Sequence, residues 1–436
     1  MMKNSLINPL PLFETATALQ NGDLELISFL DALFARQEWL EPKIQAFIPE
    51  ENRRDRVMAA AQALVDRYPE PQQRPKLFGV PIGVKDIFHV EGLPTHAGSN
   101  LPSHVLAGPE AASVKAFKQA GALVMGKTVT TEFAYFEPGP TRNPHNLDHT
   151  PGGSSSGSAA AVAAGMIPLA IGTQTIGSVI RPAAFCGIVG YKPSYNRINP
   201  EGLLFFSRSA DHVGLFTQDA RGMRLAASAV CAGWNKNIEL PRKPVLGVPT
   251  GPYLTQASKE ALRAFEQQCS QLKAVDYTVR EVPLFQNIDE INRIHRRLIA
   301  AEFASEHKHW FETYRDYYRP RTASLILEGM QVPQEEIEDA RDLQPLLREE
   351  VLHIMDVNDI DLWIAPAAPG PAPEGLDGTG DPVMNLPWTF LGLPAVTVPA
   401  SKASNGLPLG LQMIGPWMMD EEMLAWAEDV QLLLQA

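Results

Sequence analysis

The chain has 436 residues, of which 45% are hydrophobic and 20% charged, as in ordinary globular proteins and unlike disordered ones. Its formal net charge is −13, from 37 basic and 50 acidic side chains. Nucleic-acid-binding proteins normally carry a basic surplus, because neutralising phosphate charge dominates their affinity. The composition therefore argues against a nucleic-acid partner. Separately, we expect the chain to form one α/β domain over 1–436.

Cysteine usage and apolar segments exclude further classes of protein. Cys186, Cys231 and Cys269 are widely spaced, odd in number and form no CxxC pair, so neither a zinc site nor a disulfide framework is expected. The longest run of small apolar residues, 159–172, is too short to span a bilayer. The N-terminus lacks the apolar core of a signal peptide. The sequence thus predicts a cytoplasmic protein without a membrane partner or a metal.

The N-terminal part alternates predicted helices with predicted strands. Hydrophobic residues recur at three- and four-residue steps over 12–37 and predict one amphipathic helix, with a second helix at 51–67. The β-branched segment 77–88, punctuated by Gly and Pro, predicts a strand that leads into a functional loop. A helix at 110–120 and a strand at 122–128 follow.

The rest of the chain changes in composition twice. Residues 151–190 are mostly Gly, Ser, Ala and Thr, and the apolar residues interleaved at helical spacing predict a buried helix rather than a linker. Residues 255–355 are charged and predict an outer layer of helices. Short strands are predicted within 361–412, and a helix at 420–434 closes the chain.

The segment rich in Gly and Ser carries residues suited to nucleophilic catalysis. PGGSSSGS places three serines behind two glycines, and GTQTIGSVIR places Ser178 behind Gly177. Glycine lets backbone N–H groups approach an anion closely, and a serine nucleophile needs a base. None of the ten histidines stands in a recognisable nucleophile motif. A lysine kept neutral by burial is an alternative base, and Lys85 lies in the apolar string VPIGVKDIF.

These strings resemble the amidase signature family. The stretch PGGSSSGSAAAVAAGMIPLAIGTQTIGSVIRPAAFCG at 151–187 is similar to the family's signature, and GVPIGVKD around Lys85 is similar to the segment that holds its lysine. The tail at 392–415 resembles the family's C-terminal strands. Within the family, the GTQT and SVIRPAA strings are most similar to malonamidase-type enzymes.

The resemblance implies an α/β fold, a single large domain with a twisted mixed β-sheet covered by helices on both faces. We expect the catalytic core to comprise about 75–220 and 360–415. A more variable helical layer is expected at about 235–355.

Carried over by motif, the resemblance implies a Ser-Ser-Lys triad. Ser178 matches the nucleophile, Ser154 the bridging serine and Lys85 the general base, and the separation 178 − 154 = 24 equals the family's spacing. Four successive backbone N–H groups would form the oxyanion hole, those of Thr175, Ile176, Gly177 and Ser178. Three further residues would support the triad: Ser155, Ser156 and Thr173.

Substrate contacts are expected from three side chains, Arg181, Gln174 and Thr379. Arg181 resembles the arginine with which malonamidase-type enzymes hold a substrate carboxylate, with an internal ion pair as the alternative. Gln174 stands where the family often has an aspartate. Ile176 replaces a glycine common in the family. Its stiff branched side chain is expected either to narrow the acyl pocket or to block backbone conformations that only glycine reaches.

The resemblance implies an amidase that cleaves the C–N bond of a small-molecule amide through a serine acyl-enzyme and needs no cofactor. Three alternatives stay open. The same triad suits a carbamate or ester hydrolase, a glutaminase of the kind found in amidotransferases is a second alternative, and a catalytically silent binding scaffold is a third. A homodimer is also left open.

Overall fold

One mixed β-sheet organises the chain in the computed structural model, which describes residues 5–240 and 242–435. Within them, ten strands follow in chain order: β1 (Pro81–Lys85), β2 (Leu123–Thr128), β3 (Leu169–Gln174), β4 (Val189–Lys192), β5 (His212–Thr217), β6 (Leu246–Thr250), β7 (Val279–Pro283), β8 (Leu362–Pro366), β9 (Ala395–Lys402) and β10 (Pro408–Ile414). Their spatial order is β2-β1-β3-β5-β4-β9-β10-β8-β6-β7. Parallel pairs at both ends enclose antiparallel pairs in the middle.

Thirteen α-helices in the described residues flank this sheet. They are α1 (Leu12–Asn21), α2 (Leu26–Ile44), α3 (Arg53–Arg67), α4 (Ala112–Gln119), α5 (Ser156–Ala163), α6 (Ile180–Cys186), α7 (Ala220–Val230), α8 (Lys259–Ala274), α9 (Ile288–Tyr314), α10 (Pro320–Gly329), α11 (Gln334–Val357), α12 (Leu386–Phe390) and α13 (Asp420–Gln435). The prediction of a single α/β domain with a large mixed sheet flanked by helices is confirmed.

Most predicted elements are present with shifted ends. Helices α3, α4 and α13 and strand β2 match their predictions closely, and β1 is a shorter strand inside 77–88. Strands β8, β9 and β10 occupy the predicted strand region 361–412. The charged segment 255–355 holds the helices α8 to α11, but it also holds β7, an edge strand that the sequence analysis did not predict.

The prediction of one helix over 12–37 is wrong, because the chain breaks between α1 and α2. Gly22 adopts a left-handed conformation with φ 84° and ends α1, as glycine commonly does after a helix. The Glu25 carboxylate then accepts hydrogen bonds from the N–H groups of Ile27 and Ser28 and begins α2. Hydrophobic periodicity continues across this turn, so periodicity alone does not reveal the break.

Residues 151–190 fold as α5, β3, α6 and β4, and every residue of α5 and α6 is buried. The predicted buried helix is therefore present, with a second helix and two strands beside it. Small side chains allow these elements to approach their neighbours closely. Gly157 N–H donates to Val129 O at 2.9 Å, and a Cβ on Gly157 would lie 2.1 Å from Ala46 O.

The sheet brings the predicted catalytic segments to one edge. Strands β1 and β3 are parallel neighbours with Val84 opposite Ile171, so their C-terminal ends lie side by side. Lys85 ends β1, and the loop that carries Ser178 follows β3. The serine loop leads directly into α5, which packs on these strands. The carboxyl ends of neighbouring parallel strands are a common place for binding sites in α/β proteins.

We predict that Gly157→Ala lowers the free energy of unfolding by about 1–3 kcal/mol, the usual range for overpacking a core. Alanine is a better helix former than glycine, so helix propensity alone would predict a higher free energy of unfolding for the variant. Urea unfolding measures the difference. Gly378→Ala is the matched control, because a Cβ there meets no atom within 4 Å. Equal stability of the two variants would contradict the close packing of α5.

Candidate active site

Lys85 is fully buried at the end of β1, and its neighbours are hydroxyl groups. Its Nζ donates hydrogen bonds to Ser154 Oγ at 2.7 Å and to Thr173 Oγ1 at 2.8 Å. Burial lowers the pKa of Lys85 to about 7, although the Asp211 carboxylate acts in the opposite direction. Near neutral pH a large fraction of this amine therefore carries a free lone pair and can accept a proton.

The serine loop before α5 is buried and held from both sides. The Gly153–Ser154 peptide bond is cis, and Ser154 O accepts a hydrogen bond from Thr131 N at 3.2 Å. Ser154 Oγ contacts Lys85 on one side, and Ser154 also lines a small cavity together with Ser178. The structure brings the predicted relay serine and the predicted base into direct contact.

The three predicted supporting residues each contact this site. Thr173 contacts Lys85 directly. Ser155 Oγ donates to Thr173 O at 3.3 Å and accepts from Thr173 N at 3.4 Å, which ties the serine loop to β3. Ser156 Oγ donates to Gly152 O at 2.8 Å within its own loop. The contacts of Ser155 and Ser156 fix the backbone of the loop that carries Ser154.

The loop between β3 and α6 has its backbone carbonyls turned into the protein. Three of them accept hydrogen bonds: Thr175 O from His295 Nε2 at 2.9 Å, Ile176 O from Thr389 Oγ1 at 2.6 Å, and Gly177 O from Arg181 N at 3.0 Å. In a trans peptide the N–H points opposite to the C=O. The matching N–H groups belong to Ile176, Gly177 and Ser178, and they have no acceptor among the residues described. Three successive backbone N–H groups of this kind can donate hydrogen bonds together to one anionic oxygen.

A narrow inner cavity of about 10 Å³ is lined by both Ser154 and Ser178. Its lining comprises Ala134, Tyr135, Phe136, Ser154, Thr175, Ile176, Ser178, Arg181, Phe206, Thr379 and Pro382. A wider outer cavity of about 460 Å³ shares four of these residues: Tyr135, Phe136, Ile176 and Pro382. Ile176 therefore stands where the two cavities meet. Arg296, Ile299, Leu325, Glu328, Gly380 and Asp381 complete the outer lining.

Arg181 lies in the inner cavity as a buried cation held by uncharged groups. It donates to Gly153 O at 2.7 Å, Gly380 O at 3.0 Å and Thr379 Oγ1 at 3.1 Å. Burial lowers its pKa to about 10, with Asp381 opposing, so it stays protonated at neutral pH. Among the described residues it makes no ion pair, so the alternative of an internal ion pair finds no partner in this structure.

The other two predicted substrate contacts differ in position. Thr379 lines the inner cavity and accepts from Arg181. Gln174 instead braces, from inside the protein, the loop between β3 and α6 that carries the predicted nucleophile Ser178 (the nucleophile loop). Its Oε1 accepts from the N–H groups of Val179 and Ile180 at 2.9 and 3.0 Å, and its Nε2 donates to the Thr389 hydroxyl. The structure thus places the Gln174 amide in a supporting role rather than in the cavity.

Three residues that contact the site were not identified from the sequence: His295, Thr389 and Asp211. His295 and Thr389 hold the nucleophile loop from α9 and α12. Asp211 Oδ1 accepts from Thr175 Oγ1 at 2.5 Å, and burial raises the pKa of this carboxyl to about 6. Nothing local in the sequence distinguishes them from other buried polar residues, because their roles depend on contacts between distant segments.

The described residues hold no cluster of three or more His, Cys, Asp or Glu side chains arranged for a metal ion. No helix in the same part of the chain is long and apolar enough to cross a bilayer. The cysteines Cys186, Cys231 and Cys269 are buried and free.

Known proteins resemble this chain over nearly its whole length. The sequence model of the amidase family matches residues 29–424. The A subunit of the glutamyl-tRNA(Gln) amidotransferase of Geotalea daltonii is 30% identical, with 95% of each chain aligned. A crystal structure of an amidase superposes with a TM-score of 0.89 at 31% identity and covers 98% of this chain and 100% of its own. The peptide amidase of Stenotrophomonas maltophilia has the same fold, with a TM-score of 0.81 at 23% identity over 100% of this chain and 98% of its own. The chain therefore belongs to the amidase family and is an amidohydrolase.

Proposed function

We propose that this protein hydrolyses the C–N bond of a small-molecule amide in the cytoplasm through an acyl-enzyme on Ser178. The observation that carries the proposal is the Lys85–Ser154 contact. A buried amine with a pKa of about 7 lies 2.7 Å from a serine hydroxyl that shares a cavity with Ser178. A base with a pKa near the working pH is the most effective general base.

In the first step, Ser178 Oγ attacks the amide carbonyl carbon as its proton passes to Ser154, whose own proton passes to Lys85 Nζ. The carbonyl oxygen becomes an oxyanion and takes hydrogen bonds from the N–H groups of Ile176, Gly177 and Ser178. These donors are already oriented, so little reorganisation is needed when the charge develops.

In the second step, the tetrahedral intermediate collapses and the C–N bond breaks. The proton on Lys85 returns through Ser154 to the leaving nitrogen, which departs as an amine or ammonia. Water then attacks the acyl-enzyme by the same route, with Ser178 as the leaving group. No cofactor is required, because the three side chains supply nucleophile, relay and base.

The two cavities suggest how an amide is held. The inner cavity leaves room for little more than the reacting group, so we infer that Ile176 narrows it and that larger substituents extend into the outer cavity. Arg181 supplies a buried positive charge beside Ser178 that makes no ion pair within the described part of the chain. A short acyl group that bears a carboxylate fits this arrangement, as in malonamidase-type enzymes.

A second candidate function is supported by relatives. The A subunits of several glutamyl-tRNA(Gln) amidotransferases align with this chain at 28–30% identity. Such an enzyme would release ammonia from glutamine, so glutamine belongs in every substrate test. A carbamate or ester hydrolase would use the same acyl-enzyme with an alkoxide as the leaving group. A silent scaffold would bind such compounds without turnover.

We expect wild-type protein to hydrolyse at least one member of a panel of aliphatic amides, dicarboxylic monoamides, aryl amides, glutamine and carbamates. Ser178→Ala should abolish turnover, and Lys85→Ala should lower kcat by several orders of magnitude, because nucleophile and base act as one unit. Ser154→Ala should retain a residual rate if water replaces the relay. Circular dichroism checks folding. A folded Ser178→Ala with near wild-type activity would refute the assignment.

The lysine base predicts an acidic limb in the pH profile of kcat/KM. The pKa of Lys85 is lowered to about 7. The neutral, active amine is therefore protonated and lost as pH falls below 7, and nearly all of the lysine is neutral well above pH 7. We expect kcat/KM to rise about tenfold per pH unit up to pH 7 and then level off. Asp211→Asn removes a charge that raises this pKa, so its acidic limb should move to lower pH. A flat profile from pH 5 to 9 would contradict a lysine base.

Arg181→Ala tests the proposed carboxylate contact. Loss of this cation should raise the barrier for a monoamide that bears a carboxylate by ~2–5 kcal/mol, the range for removing one partner of a buried charge pair. A neutral amide of similar size should lose much less. The kcat/KM values of the two substrates give the difference. Equal losses would mean that Arg181 serves only to hold Gly153, Thr379 and Gly380 in place.

A further inference from the structure

We propose that His295 is a positioning residue for the oxyanion hole. This inference rests on the proposed function, and it assigns catalytic work to α9, in the charged helical segment outside the signature. His295 is fully buried, and its Nε2 lies 2.9 Å from Thr175 O. Thr175 O and Ile176 N belong to the same peptide group. The imidazole therefore holds the peptide that presents the Ile176 N–H to the inner cavity.

The chemistry of this contact fixes the tautomer. A backbone carbonyl only accepts hydrogen bonds, so the His295 proton must be on Nε2. Burial lowers the pKa of His295 to about 4, which keeps the ring neutral in the range where Lys85 acts as a base. The donor is therefore present across the whole working range of the enzyme.

Stability alone does not account for a histidine at this position. Its Nδ1 is buried without a hydrogen-bond partner among the described residues, and the ring packs 5.4 Å from that of Phe390. An unsatisfied buried acceptor is destabilising, whereas an apolar side chain of similar size would avoid the loss. The single satisfied atom is the one that contacts the nucleophile loop. Because Nε2 has a partner and Nδ1 has none, the hydrogen bond to Thr175 O explains why a histidine occupies this position.

The three anchors of the loop are not equivalent. Gly177 O is held by the backbone of α6 itself, and Ile176 O by Thr389, whose hydroxyl also lies 3.0 Å from Asn385 O. The Thr175 peptide has His295 as its anchor. Without His295, the peptide between Thr175 and Ile176 keeps only the restraints on its flanking residues, namely Thr175 Oγ1 on Asp211 and Ile176 O on Thr389. The Ile176 N–H is then held less firmly toward the developing oxyanion. The effect falls on the transition state, because the charge exists only there.

The test compares substitutions at His295 with a control on the same helix. His295→Leu removes the donor, His295→Gln keeps an N–H donor near the position of Nε2, and His295→Asn keeps an amide that is too short to reach. His307→Leu is the matched control. His307 is also buried on α9, and its Nδ1 contacts the Tyr318 hydroxyl instead of the nucleophile loop.

We expect His295→Leu to lower kcat by about 10- to 100-fold, less than the 10²–10³ loss for removing an oxyanion donor itself. KM should change by about twofold or less, since ground-state binding does not use the oxyanion donors. His295→Gln should recover most of the rate and His295→Asn little of it. Phenylboronic acid, which forms a tetrahedral adduct with an active serine, should bind His295→Leu more weakly by the same factor as kcat falls.

The outcomes separate the two proposals. A wild type that hydrolyses nothing in the panel overturns the proposed function, and the role of His295 with it. An active wild type with equal kcat losses in His295→Leu and His307→Leu overturns the positioning role alone. If His295→Leu does not fold, the Gln and Asn variants decide. Equal rates for those two also overturn the positioning role.

Discussion

The Lys85 amine is buried, and no carboxylate of the described residues contacts it; the site depends on this constraint. Its two hydrogen-bond partners are hydroxyls, which satisfy a neutral amine but stabilise a cation less than a carboxylate does. The neighbouring strand offers a direct contrast. Lys127 on β2 is also buried, but its Nζ lies 2.7 Å from Asp86, whose charge opposes the lowering of its pKa by burial. One lysine is thus held in an ion pair, whereas burial lowers the pKa of the other to about 7.

The surrounding elements bring the hydroxyls of Ser154 and Thr173 to this amine. Parallel pairing of β1 with β3 places Lys85 beside Thr173, and small residues in α5 let the serine loop approach the same strand ends. Asp86, next to Lys85 in sequence, accepts from the N–H groups of His96 and Ala97 and holds the loop beyond β1. These contacts hold the strand ends and the serine loop in one geometry, and the proposed oxyanion hole would require such preorganisation.

The sequence predicts a residue's role when that role depends on a local motif, and fails when it depends on contacts with distant parts of the chain. Long motifs give Lys85, Ser154 and Ser178 directly, and the structure brings both serines into one cavity with the lysine behind them. His295 and Thr389 lie more than a hundred residues beyond the loop that they hold, and a buried polar residue gives no sign of its partner in the sequence. The edge strand β7 was missed for a related reason. Strand pairing is a long-range property, and the surrounding charge suggested helix.

Helix α9 belongs to the segment that the sequence analysis assigned to a variable outer layer. It nevertheless contacts both the nucleophile loop and the outer cavity. Its buried side carries His295 on the nucleophile loop and Glu302, which accepts hydrogen bonds from Ser209. Arg296 and Ile299 of the same helix line the outer cavity. A rigid helix moves as one body, so a substitution that shifts α9 to accept a different substrate also shifts the anchor of the Ile176 peptide. With His295 as the proposed anchor, substrate range and turnover would be physically coupled through α9.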